Sequence, residues 1–172
     1  MFNPEDRMYQ EMKVYGFALD PLTRAPVVIL KDHEEKETVP LWISTGDAVA
    51  MATELVARSV AGEAGELHLL MLLLEQLDME IDRLMVDTAP SGGFQGAVVV
   101  SSPDGELEFE VRLLDVLLLA IRQGLTLMVA EDIVLRSSDI QLADGEVSEL
   151  NAGRFADFLE KLDPAEMGKY PM

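Results

Sequence analysis

Six side chains in this 172-residue chain are the candidates for acid–base or metal-assisted chemistry: Asp47, His68, Arg112, Asp115, Glu131 and Asp132. Carboxylates such as Asp115, Glu131 and Asp132 can hold a divalent cation, for which Mg2+ is the natural candidate. A histidine or an aspartate can take a proton from an attacking water. Arg112 can bind a phosphate through parallel hydrogen bonds, or pair with a nearby carboxylate in the same geometry. Each residue also has a plainer role. Asp47 and Asp115 fall in the first turn of expected helices, where a carboxylate offsets the helix dipole by about 0.3–1 kcal/mol. His68 lies between leucines and suits a hydrogen-bonded core or interface histidine. Glu131 and Asp132 suit the surface of a helical turn.

Several other chemistries are excluded. The run His33-Glu34-Glu35-Lys36-Glu37 holds one histidine in a turn, whereas a zinc-protease motif needs two, four apart on a helix. With no cysteine there is no thiol nucleophile, disulfide or thiolate metal site. No Gly-x-Ser-x-Gly is present, and neither Gly62 with Gly65 nor Gly92-Gly93 matches a phosphate-binding loop.

The elements that must position these residues follow from pattern. Glu11 to Leu19 alternates and reads as a first strand after a loose arm over residues 1–9, and Asp20 to Arg24 is a turn. The stretch from Pro26 to Leu55 organises the chain. Val27-Val28-Ile29-Leu30 is a strand, Asp32 to Lys36 a solvated hairpin turn, and Thr38 to Ile43 a second strand carrying the only tryptophan, Trp42. Ser44 then fits a helix N-cap, with Asp47 three residues on. Ala48, Met51, Ala52, Leu55 and Val56 form one apolar stripe that should pack back on the sheet.

Further strands are expected over Glu80 to Thr88, Phe94 to Ser101 and Leu125 to Val129. Another runs from Glu106 to Arg112, with Leu107, Phe109 and Val111 on a dry face and Glu108 and Glu110 on a wet one. Ser102-Pro103-Asp104-Gly105 is a hairpin turn. Two helices, Glu66 to Asp78 and Leu113 to Ile121, are apolar nearly all round. A helix without a wet face is central to a core or covered by another subunit. In a chain of this size the second is favoured, so the chain should self-associate. Glu131 to Leu135 is a helical turn. The composition changes near Arg136, and Phe155, Phe158, Leu159 and Leu162 give a small amphipathic helix. The expected organisation is one α/β domain over residues 10–136, a mixed β-sheet with packed helices, and a small C-terminal helical appendage over 137–172.

Bulk composition bounds the setting. Apolar residues make up 49% of the chain, enough for a core. No apolar run approaches the ~18 residues that a membrane span needs, and the N-terminus lacks a signal-peptide pattern. No membrane and a cytoplasmic location are expected. The formal net charge of −19 repels a phosphate backbone at long range, and the basic residues form no run, which disfavours nucleic acid as a partner. The acidity also serves to keep an apolar protein soluble.

Taken together, several segments resemble the bifunctional nuclease family. Lys13-Val14-Tyr15-Gly16-Phe17-Ala18-Leu19-Asp20 resembles its first strand and Pro26-Val27-Val28-Ile29-Leu30-Lys31-Asp32 its second. Val39-Pro40-Leu41-Trp42-Ile43, followed by Gly46-Asp47-Ala48, is similar to its most recognisable block. His68 sits where the family has a histidine opening a helix. Arg112, Asp115 and Val116 fall on an Arg-Pro-Ser-Asp-Ala motif, and Val129-Ala130-Glu131-Asp132-Ile133-Val134 on the closing segment. The chain departs from the pattern at polar positions. Asp47 stands for a usual glutamate, Leu69 for an aspartate, and Leu113-Leu114 for the Pro-Ser pair.

The resemblance implies an α/β fold with mixed strands, homo-oligomeric assembly and a nuclease activity. Phosphodiester hydrolysis needs charge neutralisation at the phosphorus and an activated water. On this reading Asp47, His68 and Asp115 are the catalytic core, Arg112 binds phosphate, and Asp115, Glu131 and Asp132 are the candidate Mg2+ ligands. The alternative from the residues alone is a non-catalytic, homo-oligomeric assembly or binding protein on the same scaffold. Its basis is the acidic charge, the missing basic run and the apolar replacements.

Overall fold

The computed structural model describes residues 7–20, 22–61, 66–137 and 148–149. In chain order these form β1 (Tyr9–Leu19), β2 (Pro26–Lys31), β3 (Thr38–Trp42), α1 (Thr45–Ala61), α2 (Glu66–Gln76), β4 (Glu80–Thr88), β5 (Phe94–Ser102), β6 (Gly105–Val111), α3 (Leu113–Gln123), β7 (Leu127–Ala130), α4 (Glu131–Ser137) and β8 (Ser148–Glu149). The strands make one mixed sheet in the order β3-β2-β1-β7-β4-β5-β6, with β8 also paired to β1. Only β4 and β7 run parallel to each other. The fold is α/β, as expected.

The hairpin-and-helix unit forms as the residues dictate. The Asp32 carboxylate closes the β2–β3 turn by accepting the Glu37 amide at 3.0 Å, and Glu35 takes the left-handed conformation at φ 55. The register sets Val28 opposite Leu41 and Leu30 opposite Val39, so these four side chains share one face of the pleat. That face is buried with Ala48, Met51 and Ala52 of α1. The main core continues under α3 and α4 through Leu84, Val86, Leu117, Leu127 and Ile133. The opposite face holds two smaller buried clusters, around Val27 and Ile29 and around Met85 and Val99.

Three expectations are revised. The helix now defined as α3 does not need a second subunit, because Leu114, Val116, Leu117, Leu119 and Ala120 are buried against the chain's own sheet. Of these two helices α2 stays uncovered, with Leu69 58% and Leu73 52% exposed. The expected dry face of β6 is wet, with Leu107 and Phe109 about half exposed, whereas β3, the strand at the other edge of the sheet, is mostly buried. The end of the expected loose arm is tied down. Arg7 pairs with the buried Asp87 carboxylate, and the Tyr9 hydroxyl donates to it at 2.9 Å. Burial, then the hydrogen bond to Asp87, push the Tyr9 phenol well above its ordinary range. The expected amphipathic helix at Phe155 to Leu162 lies outside the described residues. Among the described residues, no helix is long and apolar enough to cross a membrane.

Candidate functional site

Two helix starts meet at one open groove. Ser44 caps α1: its Oγ accepts the Asp47 amide at 3.0 Å, and its carbonyl accepts the Ala48 amide at 3.0 Å. This is the capping geometry that the Ser44–Asp47 spacing implies. Arg112 occupies the cap position of α3 in an extended conformation, φ −67 and ψ 150, without a side-chain cap. Its guanidinium grips the first helical turn instead. Nε donates to Asp115 Oδ2 at 3.0 Å and Nη2 to Asp115 Oδ1 at 2.9 Å. The groove has a volume of about 960 Å³, and Ser44, Asp47, Glu110, Arg112 and Asp115 line it together with Trp42, Phe94 and Gln95.

The electrostatics follow from that placement. The starts of α1 and α3 each carry the positive end of a helix dipole, which favours anions. Asp47 and Asp115 satisfy part of that preference in the free protein. The hydrogen bonds and charge of Asp115 raise the Arg112 pKa, and Asp47 adds a smaller push in the same direction. Arg112 is nevertheless 75% exposed, against 39% for Asp115. The guanidinium can therefore reach solvent and a ligand without leaving a core. The wall of the groove is braced from outside. Asp20 Oδ2 accepts the Trp42 indole N–H at 3.0 Å.

Gly96 on β5 sets how closely α3 approaches the sheet. A Cβ there would lie 2.4 Å from Val116 Cγ2 and 3.0 Å from the Arg112 carbonyl oxygen. Any larger residue pushes back the turn that carries Arg112 and Asp115. Sequence reasoning missed Gly96, Gln95 and Glu110 as neighbours of this site. A glycine inside a strand is a known sign of close backbone approach, so Gly96 carried a usable signal. The other two carried none.

The structure brings Asp47, Arg112 and Asp115 together and leaves the other candidates apart. His68 lies on α2 and lines a different groove, with Glu75, Asp78 and Glu80. Asp132 Oδ2 accepts the Thr88 hydroxyl at 3.2 Å and Arg136 Nη2 at 3.1 Å, and the neighbouring Glu131 amide donates to the Met8 carbonyl. Among the described residues no group of three or more His, Asp or Glu side chains is placed to hold a metal ion. Both Asp115 oxygens are already engaged by Arg112. A divalent cation would have to displace a guanidinium there, so these donors do not fit a ready-made Mg2+ site within one chain.

A family model described as the bifunctional nuclease domain matches residues 28–142. That span runs from β2 through α4 and includes all six candidate residues. A comparison with curated proteins gives no match.

Proposed function

This chain belongs to the bifunctional nuclease domain family, and from that premise we propose that the groove at the starts of α1 and α3 binds a phosphodiester of RNA or DNA and assists its hydrolysis. The observation that carries this reading is the convergence of Asp47, Arg112 and Asp115 on one groove. Arg112 is the phosphate-binding group. In the free protein it is neutralised by Asp115, and an incoming phosphate competes for the same fork of N–H donors. As Arg112 turns to the phosphate, the Asp115 carboxylate is released to accept a proton from water. The positive ends of α1 and α3 favour the charge that builds on the phosphoryl oxygens. His68, Glu131 and Asp132 have no step in this scheme. The net charge of −19 slows the approach of a polyanion at low salt, so a short oligonucleotide is a better substrate than a long duplex.

The test uses purified protein and labelled single-stranded RNA and DNA oligonucleotides, with and without Mg2+. Asp115→Ala should lower turnover by about 100-fold or more, in line with loss of a general base. Arg112→Ala should act mainly on substrate binding. Cleavage that survives unchanged in Asp115→Ala belongs to a contaminant and removes this reading.

A second reading has its own observation. The leucines of α2 are exposed in a single chain, and this favours a homo-oligomer. The oligomer and the nuclease are independent of each other: either can hold without the other.

A further inference from the structure

We propose that Trp42 and Phe94 form a platform on which an unpaired base stacks beside Arg112, so that the groove takes single-stranded nucleic acid and refuses a duplex. This rests on the reading of the groove as a phosphodiester site and names its substrate class. Both aromatic residues line the groove with Asp47, Arg112 and Asp115, and both are half-buried. Trp42 packs against the small cluster of Ala18, Val27 and Ile29, and Phe94 packs against the main core. Each ring is therefore held by the protein and still reaches the groove, as a stacking surface must. The hydrogen bond from the Trp42 indole N–H to Asp20 uses the edge of that ring and leaves its face to a base.

The chain ties these rings closely to the charged groups. Trp42 ends β3 two residues before Ser44, the cap that sets Asp47 at the start of α1. Phe94 begins β5 two residues before Gly96, whose missing side chain lets the Arg112 turn close on the sheet. The strands β3 and β6 are opposite edges of the sheet, yet Trp42 of one and Val111 of the other line this same groove. One ring thus comes from each side of it.

Electrostatics alone bind a strand poorly here. Among the described residues Arg112 is the only cation lining the groove, against Asp47, Glu110 and Asp115, and the whole chain carries −19. Stacking is indifferent to net charge and tolerant of sequence, so it supplies attraction that the phosphates do not. In a duplex each base face is covered by its neighbours and only base edges reach the grooves. A platform therefore selects the single strand.

The test titrates the full chain, by fluorescence anisotropy, with three labelled phosphorothioate ligands that resist cleavage: a short single strand, its duplex, and a single strand of the same length without bases. The single strand should bind about 10-fold or more tighter than either of the others, in line with one stacked base. Phe94→Leu should remove that margin, and Phe94→Tyr, which keeps a ring, should restore it. Arg112→Ala should flatten the salt dependence, a log–log slope of about −0.7 for one phosphate contact on a single strand, whereas Phe94→Leu should leave that slope as it is. Equal binding of the single strand and the base-free strand, or a margin that survives in Phe94→Leu and Trp42→Leu alike, overturns the platform. Hydrolysis of the ordinary strand that is lost in Asp115→Ala would then still stand. Conversely, a stacking margin without any hydrolysis removes the nuclease and leaves a groove that binds single strands, so the two readings fail separately.

Discussion

Helices α2 and α3 are each 11 residues long and rich in leucine, yet they meet opposite fates. In α3, five side chains are buried, and Arg122 near its end pairs with Glu54 of α1. In α2, Leu69, Leu70, Leu72 and Leu73 are all 42–58% exposed. Position in the sheet accounts for the difference. The start of α3 lies over β5, where Gly96 removes the side chain that would hold the helix off. Helix α2 enters β4 through a short turn and lies near the end of the sheet, beside Glu80, Ser101 and Leu125. An apolar circumference therefore states that a helix needs cover. It does not state whether the chain or a partner supplies it.

The sharpest way to break this comparison is to truncate one leucine in each helix. Leu117 is fully buried in α3, and Leu117→Ala should cost about 2–5 kcal/mol of stability through lost burial and the cavity left behind. Leu73→Ala should change stability by no more than about 0.5 kcal/mol when measured on the monomer, as expected at an exposed position. Urea unfolding of both variants, at protein concentrations too low for association, gives the two numbers. Equal losses would mean that α2 is covered within its own chain.

The same contrast shows what the sequence could and could not reveal. The unit from β2 to α1 was legible because each of its signals is local: an apolar run, a polar turn, a capping serine and a helical stripe. The Arg112–Asp115 pair was half legible, since i and i+3 on a helix face one another but an extended cap residue also has the option of a ligand. What local pattern cannot carry is the insertion of β7 between β1 and β4, because that pairing depends on segments more than 40 residues apart. The convergence of Asp47 with Asp115 is long-range in the same way, and so is the separation of His68 from both. The uncovered face of β6 was misread for a related reason. Alternation records the pleat, while burial depends on what lies over it.

A smaller effect sharpens the account of why α3 is the covered helix. Gly96→Ala places a methyl group 2.4 Å from Val116 Cγ2, and overpacking of this kind costs about 1–3 kcal/mol. Adding Val116→Ala removes the methyl groups that collide. The double variant should therefore be more stable than the sum of its two single changes, a coupling that a double-mutant cycle reads directly. The Arg112 carbonyl, 3.0 Å from the same Cβ, is backbone and cannot be trimmed, so recovery should be partial. Additive effects would show that the start of α3 is not held by this contact.

The smallest effect separates the two helices spectroscopically. Trp42, the only tryptophan, lines the groove at the start of α3 and not the flank of α2. Its indole N–H donates to Asp20, whose carboxyl is held below its ordinary value by the Thr23 amide first, and then by Trp42 and the Leu22 amide. A carboxylate with a depressed folded pKa contributes stability that is present above its unfolded value, 3.8 here. That contribution is lost as the pH falls through the folded value. Acidification below about pH 4 should therefore release the indole and shift tryptophan emission, and Asp20→Asn should abolish that step. At neutral pH the same emission should respond to an oligonucleotide entering the groove, and Leu73→Ala on α2, whose side chain does not line that groove, should leave the response unchanged. A response that is lost in Leu73→Ala would mean that α2 and the groove at the start of α3 do not act separately.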